Sequence, residues 1–272
     1  MKNALRTALL AGLLAFAGAA LAQAPVGPAP DSPEAQLFAA IDESKPLVAE
    51  GLVTRRKVDV NARNAERETP LHRAVEKGML PLAKLLIEAG ANLRARSASG
   101  ETPLHLAALH ADPALAEMLL AAGADATVRN DAGETVLFWA VLSGHGRTAF
   151  VLASAGAGLN VADLKGNTPL HAAADGGYEA IARWLVANGA QKEARNRDGA
   201  RPAEIAHAAG HDALAAWLAG RERAATAPSA KPAAGKPAPG APAPQGGTNF
   251  GTIEIDDPAH PQYRAKGVTR AP

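Results

Sequence analysis

Histidine is the residue type best suited to chemistry here, because the 272 residues include eight histidines and no cysteine. An imidazole can bind a metal ion or transfer a proton near neutral pH. His207 and His211 stand four residues apart, a spacing that places two ligands on one face of a continuous helix. Gly210 lies between them and favours a turn instead, so metal binding is the lesser of the two interpretations.

Three other histidines, His72, His105 and His171, recur within one four-residue phrase at multiples of 33 residues. If each phrase belongs to its own structural unit, neighbouring imidazoles lie about 10 Å apart, the usual separation of packed helices. A single ion cannot bridge that distance. We therefore expect these side chains neither to share a metal nor to act as a catalytic group.

The patterns that catalysis needs are missing from the sequence. There is no thiolate nucleophile, no Gly-x-Ser-x-Gly elbow, no Gly-Lys-Ser/Thr phosphate loop and no close carboxylate pair beside a histidine. We predict no enzyme activity, no catalytic residue, no cofactor, no metal and no small-molecule substrate.

Composition and charge narrow the fold class and the partner class. Apolar residues make up 47% of the chain but aromatic residues only 4%, so alanine and leucine must supply the core. Closely packed helices suit that composition better than a β-sandwich. Residues 23–222 carry 20 basic and 24 acidic side chains, a net charge of −4, whereas 223–272 carry a net +3. A mildly acidic body argues against nucleic acid as the partner.

The first 22 residues have the pattern of a signal peptide. Lys2 and Arg6 precede an apolar run from Ala8 to Leu21, and Ala20-Leu21-Ala22 offers a small-x-small cleavage site. The alternative is a membrane anchor, but the run is shorter than the ~20 residues that span a bilayer. We predict cleavage after Ala22, no transmembrane segment afterwards, and a periplasmic or secreted protein.

A 33-residue period is the strongest feature of the sequence. The phrase Thr-Pro-Leu-His begins at Thr69, Thr102 and Thr168, in altered form at Thr135, and in decayed form at Arg201. Threonine before proline is a helix-start signal, and a glycine nine residues after the threonine, as at Gly78, favours a left-handed helix end. A second amphipathic stretch follows, then a polar hairpin. The predicted unit is helix, turn, helix, hairpin.

These phrases resemble those of the ankyrin-repeat family, and the resemblance covers about residues 34–220. It implies an all-α solenoid whose short helices line a concave face beside projecting hairpin fingers, and it implies a protein-binding scaffold. It also implies that the phrase histidines form bonds between adjacent repeats. Exported, periplasmic bacterial ankyrin-repeat proteins are the subgroup that the leader suggests.

The same register predicts the domain organisation. A short flexible segment follows the leader, and a solenoid with degenerate end repeats comes next. The Ala/Pro-rich composition after the solenoid predicts a disordered linker and tail. The predicted parts are a signal peptide (1–22), a flexible segment (23–33), an ankyrin domain (34–222) with a degenerate repeat at 34–66, repeats starting at 67, 100, 133 and 166 and a truncated cap at 199–222, a linker (223–247) and a tail (248–272).

Two repeats depart from the pattern. In the third, Val136 and Phe138 replace proline and histidine, and Trp139 follows. Trp139 could be a binding anchor, but repacking of the inter-repeat core is the favoured interpretation. In the second, Asp112-Pro113 follows Ala111 where a turn glycine is usual, which we expect to alter one turn without ending the stack.

An arginine column, at Arg63, Arg96, Arg129 and Arg195, is broken by Ala162. It could be a basic ladder for an anionic partner. Because acidic residues lie close by in the sequence, a salt-bridged finger surface is the favoured interpretation.

Partner binding is expected at exposed positions that differ between repeats, namely finger tips and the last residues of each first helix. We predict a non-catalytic module of the bacterial cell envelope that binds a protein through these positions. The alternatives are a self-associating scaffold, or an envelope adaptor that uses the tail as a ligand. With Trp139, the candidate residues are Glu68, Glu76, Lys77, Ser99, Glu101, Leu109, His110, Asp131, Glu134, Leu142, Ser143, Leu164, Lys165, Asn167 and Asp175.

Overall fold

The computed structural model describes residues 27–29, 31–55 and 58–221. The predicted leader, linker and tail lie outside these residues. Within them the chain is all-α, with twelve helices and no strand beyond an isolated bridge between Arg129 and Thr135. The predicted all-α class is confirmed. No helix in the described part is both long and apolar enough to cross a membrane.

The helices form six consecutive pairs. The first helices are α1 (Pro33–Asp42), α3 (Pro70–Glu76), α5 (Pro103–Ala107), α7 (Val136–Leu142), α9 (Pro169–Asp175) and α11 (Pro202–Ala208). The second helices are α2 (Pro46–Thr54), α4 (Leu80–Glu88), α6 (Ala114–Ala121), α8 (Gly146–Ser154), α10 (Glu179–Ala187) and α12 (Asp212–Leu218).

Local sequence sets where the first helices begin and end. Thr69 has an extended backbone, its hydroxyl accepts a hydrogen bond from the amide of His72, and Pro70 occupies the first helical position. The helix ends at a glycine in the left-handed region, as at Gly177 with φ 66°. A side chain at Gly177 would also collide with the imidazole of His211. The position therefore favours glycine for two reasons.

One continuous core runs through the stack. Each first helix packs against the first helix of the next pair and against its own second helix. Leucines at one position of the first helices, such as Leu71 and Leu104, meet leucines of the second helices, such as Leu86 and Leu119, and all are buried. Replacing one of them by alanine typically costs about 2–5 kcal/mol.

Two irregularities of the stack, one in the second repeat and one in the first hairpin, are accommodated locally. α5 has only five residues and α6 begins after Asp112-Pro113, yet both helices keep their places in the stack, as expected. In the first finger, Arg67 adopts φ 60° at the position that glycine fills in the later fingers, for example Gly100 with φ 81°. A non-glycine residue in this region carries strain.

Candidate functional site

Five hairpin fingers project between consecutive first helices. They span 60–68, 93–101, 126–134, 159–167 and 192–200, and are called fingers 1 to 5 below. In finger 1 the amide of Asn64 donates to the carbonyl of Glu68, and the Asn64 side chain accepts from the Glu68 amide. The same pair of bonds closes each later finger, from Ser97, Asn130, Asp163 and Asn196.

A ladder of backbone hydrogen bonds fixes each finger tip to the one before it. The amide of Ala98 donates to the Glu66 carbonyl at 2.8 Å, and that of Asp131 donates to the Ser99 carbonyl at 3.0 Å. Leu164 and Arg197 make the same bond to Ala132 and Lys165. The tips are therefore held in one register before any partner arrives.

The arginine column connects the fingers instead of forming a free basic ladder. Arg63 Nη1 donates to the Arg96 carbonyl one repeat later, at 2.9 Å, and Arg96 Nη2 donates to the Arg129 carbonyl at 3.0 Å. Arg129 does the same to Ala162. A salt bridge, Arg96 to Asp131, accompanies these bonds at one finger. The sequence indicated the charge of this column but not its backbone acceptors.

The phrase histidines bond adjacent repeats. His72 Nδ1 accepts from the Thr69 amide at 3.1 Å, which places the proton on Nε2, and Nε2–H donates to the Glu101 carbonyl at 3.2 Å. His105 and His171 repeat this arrangement with the carbonyls of Glu134 and Ala200. This is the bonding role that the family resemblance implies.

Burial keeps these imidazoles neutral. Loss of water contact lowers the pKa of His72 and that of His105 to about 4, and it lowers the pKa of His171 as well. Their ring nitrogens are already engaged in the bonds described above. They are structural groups with no accessible lone pair for an ion or a substrate.

A second set of histidines caps helix ends and was not recognised in the sequence. Nε2 of His110 bonds the Val75 carbonyl at the end of α3 at 2.8 Å, and Nε2 of His211 bonds the Asp175 carbonyl at the end of α9 at 3.2 Å. His207 instead bonds Asp212 at 2.7 Å. His207 and His211 thus have different partners, and the described residues contain no group of three possible metal ligands.

Two of the candidate binding residues lie inside the stack. Glu101 is 9% exposed and its carboxylate accepts from the Ser97 hydroxyl, so the expectation that it is exposed is wrong. Trp139 is 6% exposed. Its Nε1–H donates to the Glu134 carboxylate at 2.7 Å, and its ring lies edge-on to His105 with centroids 5.6 Å apart. Both side chains serve contacts within the stack.

Two acidic candidates belong to an ion network. Arg73 pairs with Glu76, with Asp42 of α1 and, at 3.8 Å, with Glu68. Burial raises the pKa of Glu68. These carboxylates neutralise a guanidinium and are poor candidates for first contact with a partner.

The remaining candidates form two rows on the surface. The inner row contains the residues at the ends of the first helices, and the tip row lies on the fingers. Glu134 and Asn167, at the finger bases, are half-buried between the rows. The inner row is Lys77, Leu109, His110, Leu142, Ser143 and Asp175, and the tip row is Ser99, Asp131, Leu164 and Lys165.

The structure brings the inner row together because successive first helices are in contact, although their residues are 33 positions apart in the chain. Lys77 and Asp175 are exposed, whereas Leu109 and Leu142 are half-buried. The row is a shallow mixed surface with an apolar middle and charged ends. Such a surface suits protein contact better than chemistry on a small molecule.

Comparison with known proteins gives one result. A protein-family model described as ankyrin repeats (3 copies) matches residues 37–130, 109–196 and 137–226. A search of curated proteins finds no match.

Proposed function

The chain belongs to the ankyrin-repeat family, whose members are generally protein–protein interaction modules, and from that premise we propose that it binds a protein partner through its inner row and tip row. We propose further that it catalyses no reaction and works in the envelope of a bacterium. The signal-peptide pattern of residues 1–22 supports export, and we propose cleavage after Ala22.

One observation carries this proposal: the residues that repeat are used inside the stack, whereas the inner row and the tip row differ from repeat to repeat and lie at its surface. Histidines, finger arginines and core leucines bond or pack between repeats. Lys77, His110 and Ser143 of the inner row stand 33 residues apart, in one column of the repeat, and share no residue type. Because the fingers are fixed in register, binding does not have to order them, which limits its entropic cost.

The test is a crosslinking pull-down from periplasmic extract with a variant of the inner row. Lys77→Glu, Leu142→Ser and Asp175→Lys together change that row without changing the net charge. Glu101 and Glu134 are left intact, since their carboxylates bond Ser97 and Trp139. We expect the native chain to capture a protein that the variant loses.

A matched control carries the same kinds of change on the second helices. Lys84→Glu, Leu47→Ser and Glu117→Lys alter exposed residues of α4, α2 and α6. This control should capture the partner as the native chain does. Equal capture by all three proteins would show that the inner row is not the binding surface.

A further inference from the structure

A cleft of about 350 Å³ opens between finger 5, α11 and the end of α9. Asp175, Asp198 and Glu204 bring three carboxylates to it, and Asn196 brings an amide. No basic side chain of the described part lines this space, which is called the end cleft below. Its apolar lining is formed by Ala200, Ile205, Ala208 and Ala209.

Small side chains open the end cleft. Ala208 stands in the same column of the 33-residue register as Leu109 and Leu142. Ala200 stands in the column of Glu134. Alanine thus replaces a larger residue at both positions at the C-terminal end of the stack. The lost side-chain volume leaves room for a side chain from another molecule.

The carboxylates of the end cleft are unequally neutralised. Glu204 accepts from Nε and Nη2 of Arg201, which also pairs with Glu193. Asp175 accepts a hydrogen bond through its main-chain carbonyl, and Asp198 donates one through its amide. Neither of their carboxylates has an ion-pair partner among the described residues, and both residues are exposed. Two negative charges therefore remain available beside the cleft.

The end cleft lies in line with the inner row. One column of the register holds, in consecutive repeats, Leu109, Leu142, Asp175 and Ala208. Two half-buried apolar side chains are thus followed by an acid and then by the cleft. Lysine and arginine combine an apolar stem with a cationic head. The alanines and Ile205 complement the stem, and the carboxylates complement the head.

We propose that an extended segment of the protein partner presents a large apolar side chain to Leu109 and Leu142 and a lysine or arginine to the end cleft. This recognition rests on the proposed function, because the inner row must be the binding surface. Packed helices lie about 10 Å apart and an extended chain rises about 3.3 Å per residue, so the basic residue lies about three to six residues from the apolar one.

The experiment selects random dodecapeptides, displayed on phage, for binding to the whole chain. We expect the selected peptides to carry lysine or arginine at that distance from leucine, isoleucine or phenylalanine, severalfold more often than the starting library. One such peptide is then synthesised with a fluorophore, and its affinity is measured by fluorescence polarisation. Selection of peptides without a basic residue, or of no peptide at all, would overturn the proposal.

Two variants separate the charge of the end cleft from its volume. Asp175→Asn with Asp198→Asn removes both charges and keeps the side-chain shape, and it should weaken peptide binding about tenfold. Ala208→Leu fills the cleft without a change of charge and should weaken binding by a similar factor. Two earlier repeats already hold leucine in this column, so the fold tolerates it. Unchanged affinity in either variant would overturn the proposal.

A matched control removes the same number of carboxylates elsewhere. Glu88→Gln with Glu117→Gln changes exposed residues of α4 and α6 and should leave the affinity unchanged. An equal loss in this control would mean that net charge alone attracts the peptide, which also overturns the proposal.

Leu142→Ser distinguishes the end cleft from the inner row as a whole. We expect this variant to weaken the peptide, because it removes an apolar contact of the row. A loss with Leu142→Ser but not with the cleft variants would overturn this proposal and leave the proposed function standing. Binding that Leu142→Ser does not alter would contradict both.

Discussion

The start of each first helix is joined to the next finger, and each such connection is one step of the stack. These steps are of two kinds. At Thr69 and Thr102 a neutral imidazole crosses from the helix start to the carbonyl of the next finger. At Thr135 the corresponding residue is Phe138, which is buried but offers no donor. There the threonine hydroxyl accepts from the Phe138 amide, and packing replaces the polar bridge.

The difference shows that this repeat can be joined by a buried polar bridge or by a packed aromatic ring. Both hold the stack at neutral pH, yet only the first contains a group that titrates. Trp139 adds to the second kind of step, because it bonds Glu134 and stacks edge-on against His105. Lowering the pH should therefore weaken the histidine step and leave the stability of the aromatic step unchanged.

Acidification should give the largest effect. His72 and His105 titrate near pH 6.5 when unfolded and at about 4 when folded, so each is protonated more readily in the unfolded chain. The stability that they contribute is complete above pH 6.5 and is lost as the pH falls from 6.5 to 4. Urea unfolding at pH 4.5 and 7.5 should differ by roughly 2–3 kcal/mol for each histidine. A pH-independent midpoint would contradict the neutral-imidazole assignment.

Substitution at the two kinds of step should give the next largest effect. Phe138→Ala removes a buried ring and should cost about 3–5 kcal/mol in the free energy of unfolding, by the same amount at pH 7.5 and pH 5. His105→Ala leaves the Thr102 amide and the Glu134 carbonyl without their partner, at about 1–3 kcal/mol for each unsatisfied group.

The pH dependence of these two losses is the sharper measurement. The loss from His105→Ala should shrink as the pH falls, because the native imidazole is itself unfavourable in acid. Urea unfolding of both variants at the two pH values checks this. Losses that change in parallel with pH would show that the two kinds of step do not differ.

The arginine column should give the smallest effect. Arg129→Ala removes the bond from finger 3 to the Ala162 carbonyl and should cost about 1 kcal/mol. Ala162→Arg fills the gap in the column and should bond the carbonyl of Arg195, with a gain of similar or smaller size. Amide hydrogen exchange at Leu164 and Arg197 reports each step separately. Unchanged exchange in both variants would show that the backbone ladder holds the fingers without the arginines.

The helices could be predicted from the sequence, because short-range rules set their ends. Threonine, proline and turn glycine mark the first helices, and the observed bounds follow from these residues. The candidate surface could be predicted only in part. The 33-residue register identified the ends of the first helices, but it could not show that Glu101 turns inward to Ser97 or that Trp139 bonds Glu134. Those partners depend on side-chain direction, which a register does not specify.

His110 illustrates a second limit of register. It stands two residues earlier in its repeat than His145 and His211 do in theirs, since the second repeat has no turn glycine. In the structure it nevertheless reaches the end of the preceding first helix, as His211 does. The two histidines therefore make the same kind of contact from different columns of the repeat.

The acceptors of the bridges between fingers are main-chain carbonyls, and this has a consequence for mutation. His72 and Arg63 donate to the carbonyls of Glu101 and Arg96, which any residue at those two positions would present. Mutations on the receiving side can therefore alter side chains without breaking the bridge. A substitution at a receiving position therefore removes only that residue's own side-chain bonds, such as that of Glu101 with Ser97 or that of Arg96 with Arg129, and leaves the bridge to its carbonyl in place.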